Sequence, residues 1–322
     1  MRVQINKQRG LSLVELMVAL VISLFLSAGI FSMFSMSATN VTTTSQFNQL
    51  QENGRIALAL IDRDLSQLGF MGDMTGTPFS MGMNTTITAG AVANDCVGGG
   101  LNNASLPNNT LSDFRVIWGY ESGVSADSFA CLTNVNSGTD VIQLKRLIGP
   151  PTLNPNVASR YYMATRSDQA VIFTGAQATP ALLNGRFWEL QHHIYYIAND
   201  GDIPVLRRRT LSATNGMNNE EQLVEGVENM RILYGFDSDG DSTADGFMPV
   251  QNVTELMWSN LRPQRLVALR IFLLIRSVAE DFSYTNNVSY VLGDKNIAPL
   301  NDHYRRKVVS ATVVLENPVL MN

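Results

Sequence analysis

A chain of 322 residues with 45% apolar and 16% charged side chains has the usage of an ordinary globular protein, so extensive disorder is excluded and there is length for one large or two modest domains. A formal charge of −5 gives no support to a nucleic-acid-binding surface. Three histidines and two cysteines, none at ligand spacing, argue against a zinc site.

The chain opens on MRVQINKQRG, which holds Arg2, Lys7 and Arg9 and no acid, and then runs through residues 11–36 with Glu15 as its single charge. A secretory signal carries its small-residue cleavage site after the apolar core. Here the small residue, Gly10, stands before it. Cleavage after Gly10 removes the three leader cations, takes the formal charge from −5 to −8, and keeps the apolar segment as the new N-terminus. That segment exceeds the roughly 20 residues a bilayer core needs, and the leader cations hold its N-terminal end in the cytoplasm. The bulk of the chain is then expected outside the cytoplasm. A carboxylate inside a membrane segment costs about 2.5–3.5 kcal/mol and usually has a partner. The nearest cation a cleaved chain supplies is the α-amine of Leu11, its own or a neighbouring copy's; the alternative is a Glu15 near enough to the interface to stay solvated.

The run Gly10-Leu11-Ser12-Leu13-Val14-Glu15-Leu16 resembles the class III signal of type IV pilins and type II secretion pseudopilins. The resemblance implies cleavage after Gly10 by prepilin peptidase, methylation of the new amine at Leu11, and pairing of Glu15 with the amine of an adjacent subunit during assembly. Leucine stands at position 11, where phenylalanine is commoner.

From Leu11 there is no proline before Pro78, and Phe47, Leu50, Gly54, Ala57, Ile61, Leu65 and Leu68 recur at steps of three and four. This is one stripe of a helix. A helix over residues 11–68 would be roughly 85 Å long at 1.5 Å per residue, with 11–36 in lipid and 37–68 as an amphipathic spine ending at Gly69. Thr42, Thr43 and Thr44 are poor helix formers, so a bend or frayed turn is expected there. Asp62, Arg63 and Asp64 read as the solvated face.

Residues 69–322 read as a β-rich body. Strand signals lie at 113–120, 140–148, 170–174, 191–199, 204–211, 223–236, 266–276 and 308–316. The 266–276 run is apolar enough for a central strand covered on both faces. The fold class is therefore α+β: a long N-terminal transmembrane and spine helix packed on a large antiparallel β-rich domain, the pilin fold of the resemblance. Adjacent His192 and His193 point to opposite strand faces and read as structural. Arg207, Arg208 and Arg209 put charge on both faces of their strand, which fits an exposed edge or a subunit contact.

Cys96 and Cys131 are expected to pair in an oxidising compartment, or else to stay as two buried thiols. Asp237, Asp239, Asp241 and Asp245 stand at relative positions 1, 3, 5 and 9, with the carbonyl of Thr243 at 7, which is the spacing at which calcium loops present oxygen. Glycine at position 4 and Met248 at 12 rule out an EF-hand. The loop is either a calcium site completed from elsewhere or an acidic turn.

The segments Tyr234–Asp241 and Asp62–Gly72 narrow the resemblance to PilW-type minor pilins. That implies inner-membrane insertion, processing, and assembly with other minor pilins, the major pilin and the assembly platform, in a priming or tip complex on the pilus. A GspJ-like pseudopilin and a calcium-dependent filament-tip adhesin are the competing readings. No catalytic constellation and no organic-cofactor motif occurs, so assembly is expected, not turnover.

Overall fold

A computed structural model of the chain describes residues 10, 12–109, 112–259 and 264–317. The chain divides into two compact units, Met1–Gln49 and Leu50–Asn322. Helix α1 spans Leu13–Leu65 and contributes to both. In the first unit its side chains from Leu13 to Met36 are exposed, and among the described residues α1 is the one helix long and apolar enough to cross a membrane. Thr42, Thr43 and Thr44 remain helical, so the expected frayed turn is absent: three β-branched residues weaken a helix by only a few tenths of a kcal/mol each, about what its length absorbs.

In the second unit the stripe packs as its spacing requires, whereas Phe47, its expected first member, falls in the first unit and is exposed. Leu50, Ala57, Ile61, Leu65 and Leu68 are buried in the main core, and Gly54 lets the helix close on Val309 and Ile275. The helix ends at Leu65, short of the expected Leu68, and turn residues carry the chain on to a left-handed Gly69. Asp64 lies three residues beyond Ile61 and is buried, so it does not belong to the solvated face.

The strands are β1 (Thr85–Ile87), β2 (Ile117–Glu121), β3 (Asp140–Thr152), β4 (Tyr161–Arg166), β5 (Gln169–Thr174), β6 (Arg186–Asp200), β7 (Ile203–Ser212), β8 (Gly216–Glu225), β9 (Val227–Asp237), β10 (Gly246–Pro249), β11 (Arg265–Arg276), β12 (Tyr290–Leu292), β13 (Lys295–Ile297) and β14 (Arg306–Val314). One sheet has the order β1-β5-β4-β6-β3-β2, with β7 and then β8 continuing from β6. Strand β6 is long enough to take β4 and β7 end to end on one side and β3 on the other. The second sheet, β10-β9-β11-β14, is antiparallel throughout and has β11 at its centre.

The 223–236 signal is two strands, because Gly226 at φ 79 turns the chain between β8 and β9. Strand β7 is not an edge. It lies between β6 and β8, and β8 meets the arginines with acids: Glu220 pairs with Arg207 and Arg209, and Glu221 with Arg208. Arg231 on β9 joins the two sheets through Glu121 of β2 and Asp140 of β3, and also holds Asp294 between β12 and β13.

Candidate functional site

Gly10 is exposed with open space around it, and Leu11 lies outside the described residues. Ser12 is the residue that sequence reasoning missed. Its N–H donates to Glu15 Oε2 at 2.8 Å, and the Glu15 N–H donates to Ser12 Oγ at 3.2 Å. This reciprocal pair is a capping box, which satisfies two of the donors a helix start leaves open. Its Ser-x-x-Glu signature stands in the sequence. Glu15 is thus held at the first turn of α1, next to the junction that follows Gly10.

At the far end of α1, Asp64 is the hub of a buried ionic cluster. Its carboxylate accepts from Arg146 Nη2 at 2.8 Å and from the Tyr195 hydroxyl at 2.5 Å, and it contacts His193 Nδ1 at 2.5 Å. Arg208 stands 3.8 Å away. Burial pushes this carboxyl up, but the hydrogen bonds and charge of His193, with Tyr195 and Arg146, outweigh it and hold the group well below the usual carboxylate range. The cluster ties α1 to β3, β6 and β7 at once. The signal for it was Asp64 sharing the phase of the Ile61 stripe.

The opposite face of the same strands holds a second buried polar group. His192 bonds Ser105 Oγ through Nδ1 at 2.8 Å, and Ser105 Oγ donates to Asp95 at 2.5 Å. Lys145 is fully buried, donates to the carbonyl of Ala104 at 2.6 Å, and lies 4.6 Å from the centre of the Phe114 ring. Burial pulls its amine down to about 7 and holds His192 well below its ordinary value. His192 and His193 therefore leave opposite faces of β6, one to this loop and one to α1. The loop is fastened by a Cys96–Cys131 disulfide with its Cα atoms 5.3 Å apart.

The acidic turn after β9 brings Asp237, Asp239 and Asp245 together, with one oxygen of each within 4.8 Å of the others. Asp241 is not in that group; its carboxylate accepts from the N–H and the hydroxyl of its neighbour Thr243. Asp237 is buried at the strand end and accepts from the N–H groups of Asp239, Gly240 and Ser242, which lower its pKa, the Gly240 bond most. The donor set of three close carboxylates suits a hard divalent cation.

Comparison with protein families finds two matches. Residues 5–31 match the prokaryotic N-terminal methylation motif, and residues 194–317 match the type IV pilus-assembly protein W family. No curated protein and no solved structure matches. A methylation motif ending inside an apolar helix, followed by a large body of antiparallel strands, defines a type IV pilin-like subunit: a membrane-anchored structural component associated with a pilus. The sheet β10-β9-β11-β14 lies inside the second match, and the two matches together support a type IV pilin-like minor pilin, a class whose partners are in general pilins and pilus machinery.

Proposed function

We propose that the chain is inserted in the inner membrane with its leader in the cytoplasm, cut after Gly10 by prepilin peptidase, methylated at Leu11, and joined with other minor pilins into a complex that primes or caps a type IV pilus. Its action is assembly and not catalysis. The observation that carries this reading is the carboxylate of Glu15, fixed by Ser12 at the first turn of the one membrane-length helix described and five residues past the cleavage position. Cleavage leaves an α-amine one residue before Ser12. A carboxylate held in that place gives an incoming subunit's amine a charge partner in a medium without water, which sets the axial register between neighbouring helices. The large body suits a tip position, since a bulky head fits poorly into a repetitive shaft.

Two measurements test the reading. Mass spectrometry of the chain from membranes is expected to find it without its first ten residues and methylated at Leu11; an intact leader would overturn the proposal. Replacing Glu15 by leucine should leave insertion and cleavage in place and abolish recovery in filaments, so unchanged incorporation is the refuting result. Co-purification with secretion subunits instead of pilins would transfer the chain to the pseudopilin reading. The Asp237, Asp239 and Asp245 turn is proposed to hold calcium, with Asp241 and the Thr243 carbonyl as further donors. Titration calorimetry of the full chain with calcium should give heat that Asp239→Ala removes, and the absence of heat would leave a plain acidic turn.

A further inference from the structure

We propose that Asp140 keeps a proton at neutral pH and that its release loosens the seam between the two sheets, so that the joint of β3 with β9 tightens as the medium acidifies. The seam is where buried charges fail to balance. Glu121 ends β2, Asp140 starts β3, and the two stand directly opposite each other in the ladder. Like charges so placed repel. One guanidinium nitrogen serves both: Arg231 Nη1 lies 2.7 Å from Glu121 Oε2 and 3.1 Å from Asp140 Oδ1. The side chains of Glu121, Asp140 and Arg231 keep only 8%, 2% and 5% of their surface exposed. Two carboxylates against one cation would leave a net negative charge out of water, and a group in that position takes up a proton instead.

The hydrogen bonds decide which of the two carries it. Glu121 is fully served as an anion: Oε2 also accepts from Gln251 Nε2, and Oε1 accepts from Lys295 Nζ at 2.6 Å. Asp140 Oδ2 accepts from the Ile232 N–H at 2.7 Å, which the carbonyl oxygen of a neutral acid also does, and among the described residues Oδ1 has Arg231 alone. Asp294 and Lys295, at the turn between β12 and β13, add one charge of each sign and leave the excess as it is; Asp294 takes Arg231 Nε and Nη2 at 2.8 and 2.7 Å. Tyr234 of β9 also faces Asp140 and is buried, which keeps its hydroxyl neutral. Burial pushes the Asp140 carboxyl up to about 7, with Arg231 and the Ile232 N–H pulling it back and Glu121 adding to the rise. Burial pushes Glu121 up as well, but Lys295 and Arg231 outweigh it and hold that carboxyl below its ordinary value.

The proton guards the contact between the sheets. Besides Arg231, the seam is made by Asp140 on the Ile232 N–H, by Asn229 Nδ2 on the Gly138 carbonyl at 3.1 Å, and by Lys295 Nζ on the same carbonyl at 2.5 Å. All of these run from β9 or the β12–β13 turn to the segment that begins β3. Ionisation of Asp140 sets a second buried carboxylate against Glu121 and divides Arg231 Nη1 between two anions. The folded chain keeps this proton up to about pH 7 and the unfolded chain only up to 3.8, so stability falls as pH rises between those values. Lys145 acts in the opposite sense and above pH 7, which keeps the two effects apart. Nothing in this joint depends on whether the chain assembles into a pilus.

The Ile232 amide, bonded to Asp140, is the reporter. Its nitrogen shift and its hydrogen exchange are followed by NMR on the full chain in detergent from about pH 5 to about pH 8. In the parent the shift should pass through a midpoint between about pH 6 and about pH 8, and the protection, corrected for intrinsic exchange, should fall at least about tenfold across the range. Asp140→Asn holds the neutral form permanently and should show neither change. Glu121→Gln removes the opposing charge and should lower the midpoint by about one pH unit or more. A parent without a midpoint in this range overturns the proposal, because Arg231 then keeps Asp140 ionised throughout. The same midpoint persisting in Asp140→Asn overturns it too, since the titrating group would be a histidine elsewhere, and so does an unmoved midpoint in Glu121→Gln. Where Asp140→Asn fails to fold, the parent curve and Glu121→Gln still decide.

Discussion

Replacing Asp64 by alanine removes one charge from a place where at least one opposite charge stays behind. Arg146 keeps 6% of its side chain exposed, so in the variant its guanidinium is buried with only the Gln67 carbonyl oxygen for company. Asp64 itself accepts three short hydrogen bonds, from Arg146, His193 and Tyr195, and hydrogen bonds to a charged group contribute about 1.5–3 kcal/mol each before the cost of burying the carboxylate is subtracted. The net effect of breaking a buried pair from one side is about 3–5 kcal/mol. Chemical unfolding of the detergent-solubilised chain should show that loss for Asp64→Ala. The pH dependence adds a second readout. Because the folded carboxyl titrates below its ordinary 3.8, its contribution is complete above that value and drains away as pH falls beneath it, so the acid limb of stability should lose one proton's worth of slope in Asp64→Asn. A loss under about 1 kcal/mol, together with an unchanged acid limb, would mean that the cluster is solvated in solution and the assignment of Asp64 as anchor is wrong.

Ser12→Ala removes half of the capping box, about 1 kcal/mol, and should speed exchange of the Glu15 amide about fivefold while cleavage after Gly10 continues. Cys131→Ser frees a loop closed across 35 residues, so unfolding should become easier by about 3–4 kcal/mol on the chain-entropy model, and reduction of the parent chain should reproduce the effect. Gly119→Ala places a Cβ 2.5 Å from the Tyr234 hydroxyl and 2.7 Å from the Val141 carbonyl; the backbone side has no room to yield, and denaturant titration should find a loss of about 1–3 kcal/mol. Lys145 titrates lower in the folded state than in the unfolded chain, where 10.5 is the ordinary value, so between pH 7 and that value the unfolded state holds more protons and stability should rise with pH; Lys145→Met should flatten this rise.

The residues whose roles were legible in the sequence are those governed by local periodicity or by a fixed spacing. The stripe from Leu50 to Leu68 and the strand at 266–276 follow from short-range rules and stand in the structure, while Phe47, the expected first member of the stripe, is exposed; the Cys96–Cys131 pair was expected because the chain has two cysteines. Gly226 shows the limit of that reading: the run around it keeps strand composition on both sides, and only the left-handed backbone at one residue separates β8 from β9. The charged positions were the least legible. Asp64 and Arg207 look solvated in sequence because charge belongs outside unless paired; Arg207 finds Glu220 on the next strand of its hairpin, but the partners of Asp64, Arg146 and His193, stand far along the chain. Pairing across that separation is a property of the sheet order, which no local pattern contains. The small strands β1, β10, β12 and β13 were missed for a related reason: three or four residues are too few to show an alternation.

The two buried polar clusters also bear on which parts of the chain are free to take part in assembly. Asp64 is satisfied only when α1, β3, β6 and β7 are together, and Lys145 only when the disulfide-fastened loop closes over the other face of β3 and β6. A partial opening that lifted the helix from the sheet would strand Arg146 and Asp64 in one step, at a cost near that of breaking a buried pair from each side. Residues 50–65 are therefore held as part of a cooperative body and are a poor choice for a segment that changes partners. Contacts that form and break during assembly are better suited to groups with little committed inside the subunit: the exposed apolar side chains of residues 13–36 and the Glu15 carboxylate, whose partner among the described residues is Ser12. If amide exchange under native conditions showed residues 50–65 opening ahead of β3 and β6, that division of labour would be refuted, and the helix itself would be the element that exchanges partners.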